Sequence, residues 1–164
     1  MKNALQTTVL GLMLLAGPAW ARAEGPQSEG LRLVLTGVGR FAVLADLSTI
    51  VRTGDTVRMR SLQVTEDDFQ AAGQAYWGGW SWWAFNCVAR TADRLDFASV
   101  REGGTEGPAT PDAAPAYAAA AGGDAAELLA VACDPASVGE ADADTLADAV
   151  RVGRAALAAP VTAH

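Results

Sequence analysis

The sequence predicts an α+β domain in which an antiparallel sheet of about five strands precedes a helix. Three observations carry this. From Leu31 to Val100 apolar residues recur with a period of two, whereas beyond Asp124 the period becomes helical. The two cysteines, Cys87 and Cys133, fall one in each part and can tie helix to sheet.

The first residues, MKNALQTTVLGLMLLAGPAWARA, combine one early cation, a short apolar run and small residues at Ala19, Ala21 and Ala23. This is the pattern of a secretory signal peptide. The apolar run is shorter than the roughly 20 residues that a membrane span requires. Residues 1–23 are therefore expected to be removed between Ala23 and Glu24, with a cut after Ala21 as the alternative. No cysteine stands at either cut to carry a lipid, and no later segment is apolar enough to serve as a membrane anchor. The expected product is an exported soluble protein, periplasmic or at the cell surface.

Of 164 residues, 141 remain after that cut, enough for one core. Loss of Lys2 and Arg22 leaves ten arginines against nineteen acids, a formal charge of −9. Nucleic-acid binding, which needs concentrated positive charge, is excluded as an expectation. Export places Cys87 and Cys133 where thiols pair, and their separation of 46 residues would give a disulfide worth about 4 kcal/mol.

The elements follow in order. Residues 31–37 (LRLVLTG) read as a first strand, and 39–50 as a second, with Phe41, Val43 and Ala45 on one face and Leu44 and Asp46 on the other. Arg52-Thr53-Gly54-Asp55 supplies a turn. Residues 56–64 restore the alternation, Val57 and Met59 opposite Arg58 and Arg60. Glu66 to Gly73 reads as a polar loop or short helical turn. Residues 80–90 form a long strand, and residues 94–100 return after a turn at Thr91-Ala92-Asp93. The Gly-, Ala- and Pro-rich stretch 101–123 lacks the apolar content to pack and reads as a long mobile loop anchored at Tyr117. Asp124 and Glu127 suggest a capping box opening a helix that Pro135 ends. Residues 144–159 carry Leu146, Val150, Gly153 and Leu157 on one stripe, an amphipathic helix that packs on either the domain or a partner.

Four of the five tryptophans lie within seven residues of the segment YWGGWSWWAFNCVAR. Alternation puts Trp83, Phe85, Cys87 and Ala89 on one face and Trp80, Trp82, Ala84, Asn86 and Val88 on the other. Both faces are apolar near the start, as in a central strand covered on both sides or one whose second face meets a partner. Trp83 is assigned to the core. Trp80 and Trp82, with Tyr76 and Trp77, form the candidate binding face.

Catalytic and metal-binding chemistry finds no support. The sole histidine is His164, so a triad cannot be assembled from interior residues, and thiolate or imidazole metal sites lack ligands. Glu66-Asp67-Asp68 lacks the spacing of a calcium loop, and the glycine pairs Gly78-Gly79 and Gly103-Gly104 do not match a phosphate loop. The expectation is a non-enzymatic protein without cofactor or metal that binds a protein partner or itself. A carbohydrate-binding or carbohydrate-cleaving protein using the tryptophans as platforms is one alternative; a structural envelope protein with wholly buried tryptophans is another.

The order of Asp46-Leu47-Ser48-Thr49-Ile50, Arg52, Gly54, the strand Val57 to Val64, Asn86-Cys87, Arg90, Arg94 and Leu128 to Cys133 resembles the surface-adhesin protein E family of exported Gram-negative proteins. The likeness covers about residues 31–135 and implies a curved antiparallel sheet of about six strands. It further implies a late helix held on the concave face by the disulfide, a tendency to dimerise, and an extracellular-matrix protein as partner. Residues 24–135 are accordingly assigned to an adhesin E-like domain and 136–164 to an added helical extension. The chain departs from the family pattern at Asn86, where an acidic residue is more usual, and lacks the family's lysine-rich character.

Overall fold

The computed structural model describes residues 30–160. The signal-peptide segment and His164 lie outside the described residues. Strands β1 (Leu33–Val38), β2 (Ala42–Thr53), β3 (Thr56–Val64) and β5 (Gln74–Asn86) form an antiparallel series, with β4 (Gln70–Ala71) a hairpin partner of the start of β5. The far side of β5 pairs with both β6 (Thr91–Arg94) and β7 (Asp96–Arg101), one strand path interrupted at Leu95. Two-residue strands β8 (Thr110–Pro111) and β9 (Tyr117–Ala118) close the edge, followed by helices α1 (Asp124–Cys133) and α2 (Leu146–Ala158). The fold is α+β with one open antiparallel sheet. Among the described residues no helix is long and apolar enough to cross a membrane.

Alternation in the central strands builds two cores. Val43, Ala45, Val57, Met59, Trp83 and Phe85 point to one face, where Leu128, Leu129 and Ala132 of α1 cover them. Leu44, Leu62, Val64 and Trp80 point to the other, where Ala149 and Val150 of α2 lie. The C-terminal amphipathic helix thus packs on the sheet of its own chain. It comes close to the sheet at Gly153, where an added Cβ would lie 2.8 Å from Val64 Cβ. The helix opens on Thr145, whose hydroxyl accepts from Asp148 N at 3.1 Å.

The D-x-S-x-I segment has a local structural role. Asp46 Oδ1 accepts from Ser48 N and Ser48 Oγ, while Thr49 Oγ1 donates to Asp46 O and accepts from Arg60 N. These bonds hold the bulge that shifts the β2–β3 ladder between Asp46 and Val51. Bulges of this kind turn a strand without ending it. The hairpin beyond it turns at Gly54, φ 59°, as its turn chemistry predicts.

Several boundaries differ from the sequence reading for local reasons. The strand expected over 80–90 runs instead from Gln74 to Asn86, because the Asn86 side chain accepts from Val88 N and Ala89 N and Arg90 takes a positive φ of 54°. Cys87 therefore sits in the turn rather than within the strand, and Thr91-Ala92-Asp93, expected as a turn, belongs to β6. Helix α1 has Gly123 at its N-cap with no side-chain bond, so no capping box forms. Residues 101–123 are stitched to the sheet by backbone bonds, among them Gly107 N to Ser99 O and Asp112 N to Leu95 O, and by the ion pairs Arg60–Glu106 and Arg94–Asp112. Backbone pairing to an open edge needs no apolar side chains, which is why composition misreads this stretch.

Cys87 and Cys133 form a disulfide with Cα atoms 5.7 Å apart, joining the β5–β6 turn to the end of α1. Arg52 braces the junction by donating to Cys133 O at 2.8 Å. Replacing both cysteines by alanine should lower stability by about 4 kcal/mol, seen as a reduced urea midpoint, with a somewhat larger m-value because the unfolded chain is no longer cross-linked. An unchanged midpoint would show that the first core holds α1 without the bond.

Candidate functional site

The sequence nominates Tyr76, Trp77, Trp80 and Trp82, and the fold separates them. Trp80 is 4% exposed, sealed in the second core with the Arg60 guanidinium 4.4 Å from its ring centroid. It is not part of a binding surface. Trp82 is partly buried on the same face, with Arg58 stacked 5.3 Å over its ring. Trp77 lines a groove against α2 with Asp67, Val150, Arg151 and Arg154, where Asp67 is ion-paired to Arg154. Trp83, assigned to the core, is 6% exposed; it stacks on Phe85 and donates from Nε1 to Ser61 Oγ at 2.9 Å.

Tyr76 alone belongs to a different site, on the face that α1 covers only in part. There a cavity of about 240 Å³ is walled by Phe41, Phe69, Tyr76 and Phe97, with Gly78 and Gly79 in its floor. Each wall comes from a different part of the chain. Phe41 comes from the β1–β2 turn, Phe69 from the loop before β4, Tyr76 from the start of β5 and Phe97 from β7. The register explains the convergence: Gly79 pairs with Gln63 on one side and Ser99 on the other. Backbone contact requires glycine at Gly78, and at Gly79 any side chain would displace the Phe97 ring from its place. A Cβ on Gly79 would meet the Phe97 ring at 2.2 Å, and one on Gly78 would fall 1.7 Å from Gln63 O.

The cavity is apolar. Its polar lining is limited to Gln63, Thr65, Ser99 and the Tyr76 phenol, and Thr65 Oγ1 is already donating to Tyr76 O. Phe69 and Phe97 are 36% and 37% exposed, so both rings reach solvent at the rim. Sequence reasoning passes over Phe41, Phe69 and Phe97 because each is a single aromatic in its own segment. The one available signal is Gly78-Gly79 inside an aromatic strand, since strand glycines mark places where something approaches the backbone closely.

On the other side of Gln63 lies a more polar cavity of about 370 Å³, whose lining includes Ser61, Trp83, Arg94, Tyr117 and Asp124. Arg94 Nε donates to Asp112 Oδ2 at 2.8 Å. The backbone N–H of Ala114 and then Arg94 hold the Asp112 carboxyl below its ordinary pKa of 3.8. Burial pushes the Tyr117 phenol up, against the pull of Arg94. Among the described residues no group of three or more His, Cys, Asp or Glu could hold a metal ion.

A carboxyl whose pKa is depressed by folding stabilises the fold at pH values above its unfolded pKa and loses that contribution as pH falls through its folded pKa. Asp112→Asn should therefore flatten the fall in stability that the wild type shows below about pH 3.8, measured as urea midpoints across the acid range. An identical acid limb in both proteins would remove the Arg94–Asp112 pair from the stability of this edge.

No protein-family model, curated protein or solved structure matches the chain.

Proposed function

We propose that this chain is an exported, non-enzymatic binding module that captures a protein partner by taking one bulky apolar side chain into the pocket formed by Phe41, Phe69, Tyr76 and Phe97. The observation that carries the reading is the size and chemistry of that pocket. At about 240 Å³ it exceeds the roughly 150 Å³ that holds a benzene. It falls short of the roughly 300–1,000 Å³ usual for a drug-sized ligand. That volume suits one aromatic or branched aliphatic side chain, the kind of anchor that dominates protein interfaces. A charged metabolite would meet no countercharge in the pocket, whose only ionisable lining group is the Tyr76 phenol.

Export is supported by the signal-peptide pattern of residues 1–23 and by the disulfide, which suits an oxidising compartment. The adhesin E-like reading rests on the order of its sequence features, two of which have structural roles in this chain: the bulge at Asp46-Leu47-Ser48 and the Cys87–Cys133 staple. An extracellular-matrix protein or a second copy of this chain is the partner that reading implies. The carbohydrate alternative draws less support, since it needs paired carboxylates on a tryptophan-lined cleft. The groove beside Trp77 is lined by one carboxylate, Asp67, already paired with Arg154.

The test is selection of peptides from a random library on the mature protein, followed by affinity measurement with pocket variants. The selected peptides should share a bulky apolar residue. Phe97→Ala and Tyr76→Ala should each weaken binding at least tenfold, because a buried hot-spot contact is worth about 2 kcal/mol or more. Trp82→Ala should leave affinity within twofold. Selected peptides without an apolar anchor, or pocket variants that fold and bind as the wild type does, would overturn the assignment.

A further inference from the structure

The row of residues that forms the pocket floor extends beyond it. Gly37 pairs with Val43, Val43 with Gln63, Gln63 with Gly79 and Gly79 with Ser99, so five strands place these residues in one line across the sheet. The apolar pocket lies at the Gly79 end. Over the Gly37 end stand two carboxylates from the first turn of α1. The point a Cβ would occupy on Gly37 is 3.1 Å from Glu127 Oε2 and 3.6 Å from Asp124 Oδ1. Both acids thus converge on the space that this glycine leaves open.

Neither has a salt-bridge partner among the described residues, where the four ion pairs use Glu106, Asp112, Asp148 and Asp67. Asp124 also lines the polar cavity, which shares the wall residue Gln63 with the apolar pocket and so lies next to it. On the opposite rim Phe69 follows Glu66 and Asp68, both exposed and also without an ion pair. The cations near the groove do not neutralise these acids: Arg94 is held by Asp112, and Arg40 lies over the Phe41 ring. An apolar hole bordered by unmatched carboxylates complements an apolar residue accompanied by a cation.

We propose that the partner segment is basic as well as apolar: it places its anchor side chain in the Phe97/Tyr76 pocket and a lysine or arginine between Asp124 and Glu127. The spacing follows from the sheet. Gly37 and the pocket are separated by two to three interstrand steps of about 4.8 Å, roughly 10–14 Å, which an extended chain covers in three to four residues. This inference rests on the pocket being the binding site, and the two claims fail differently.

The probes are fluorescein-labelled eight-residue peptides on a Ser/Gly scaffold with one Trp anchor and, three or four positions to either side, Lys, Gln or Glu. Affinity for the full mature chain is read by anisotropy at low and high salt. The best Lys peptide should bind about three- to tenfold tighter than its Gln counterpart, with Glu weakest, as expected for one cation meeting two partly exposed carboxylates. The preference should shrink with salt. Asp124→Asn with Glu127→Gln should abolish the Lys preference and leave the Gln peptide's affinity unchanged, with thermal unfolding confirming the fold. Equal binding of Lys and Gln peptides, or a Lys preference that survives in the double variant, overturns the inference while the pocket stands. Failure of every Trp peptide to bind, or equal binding to Phe97→Ala, overturns both.

Discussion

Everything in this molecule depends on β5 being apolar on both sides. Trp83 and Phe85 face α1, while Trp80, three residues before Trp83, faces α2. A strand with bulky aromatics on both faces cannot leave either face to water, since each exposed aromatic would forfeit the burial of 150–250 Å² of surface. Two helices from the C-terminal part of the chain meet that demand, and each must be fixed to its own face. The disulfide does this for α1. The close approach of Gly153 to Val64 and the bond from Arg154 Nε to Thr65 O do it for α2.

Coverage by two helices also explains why the site lies where it does. Helix α1 has ten residues, and its buried side chains meet the sheet around Val43, Met59, Trp83 and Phe85. The Gln63–Gly79–Ser99 row lies beyond this contact, and there the strands change character. Trp83 and Phe85 give way to Gly79 on the same face of β5, so the core stops and a hollow begins. The aromatic rings at its margin come from the turns and the outer strand path, which can place side chains around the hollow without filling it.

How much of this was legible in the sequence depended on whether the signal was local. The strand alternation, the turn at Gly54 and the amphipathic stripe of α2 all lie within short windows, and they read correctly; the pairing of Cys87 with Cys133 spans 46 residues but is legible because the chain has only two cysteines. The tryptophan cluster shows the limit. Alternation correctly separated Trp83 from Trp80, yet whether a second apolar face meets solvent, a partner or the chain's own helix is decided some seventy residues later, at Ala149 and Val150. The pocket was illegible for a related reason. Phe41, Phe69, Tyr76 and Phe97 are neighbours only through the register of β5 with β3 and β7, and that register includes an irregularity between Tyr76 and Gly78 that no propensity announces.

The two kinds of aromatic residue therefore have opposed relations to glycine. Around Trp83 and Trp80 the opposing positions carry side chains, and the rings interlock with them into solid cores. Beside Phe97 and Tyr76 the pocket is lined by Gly78 and Gly79, where a methyl group would collide with Gln63 O or with the Phe97 ring itself. The glycines therefore do not leave the hollow by omission: they let the Gln63 carbonyl and the Phe97 ring come close to β5, and the rings stand around the open space rather than across it. The apolar wall that results is left to be covered by whatever side chain enters.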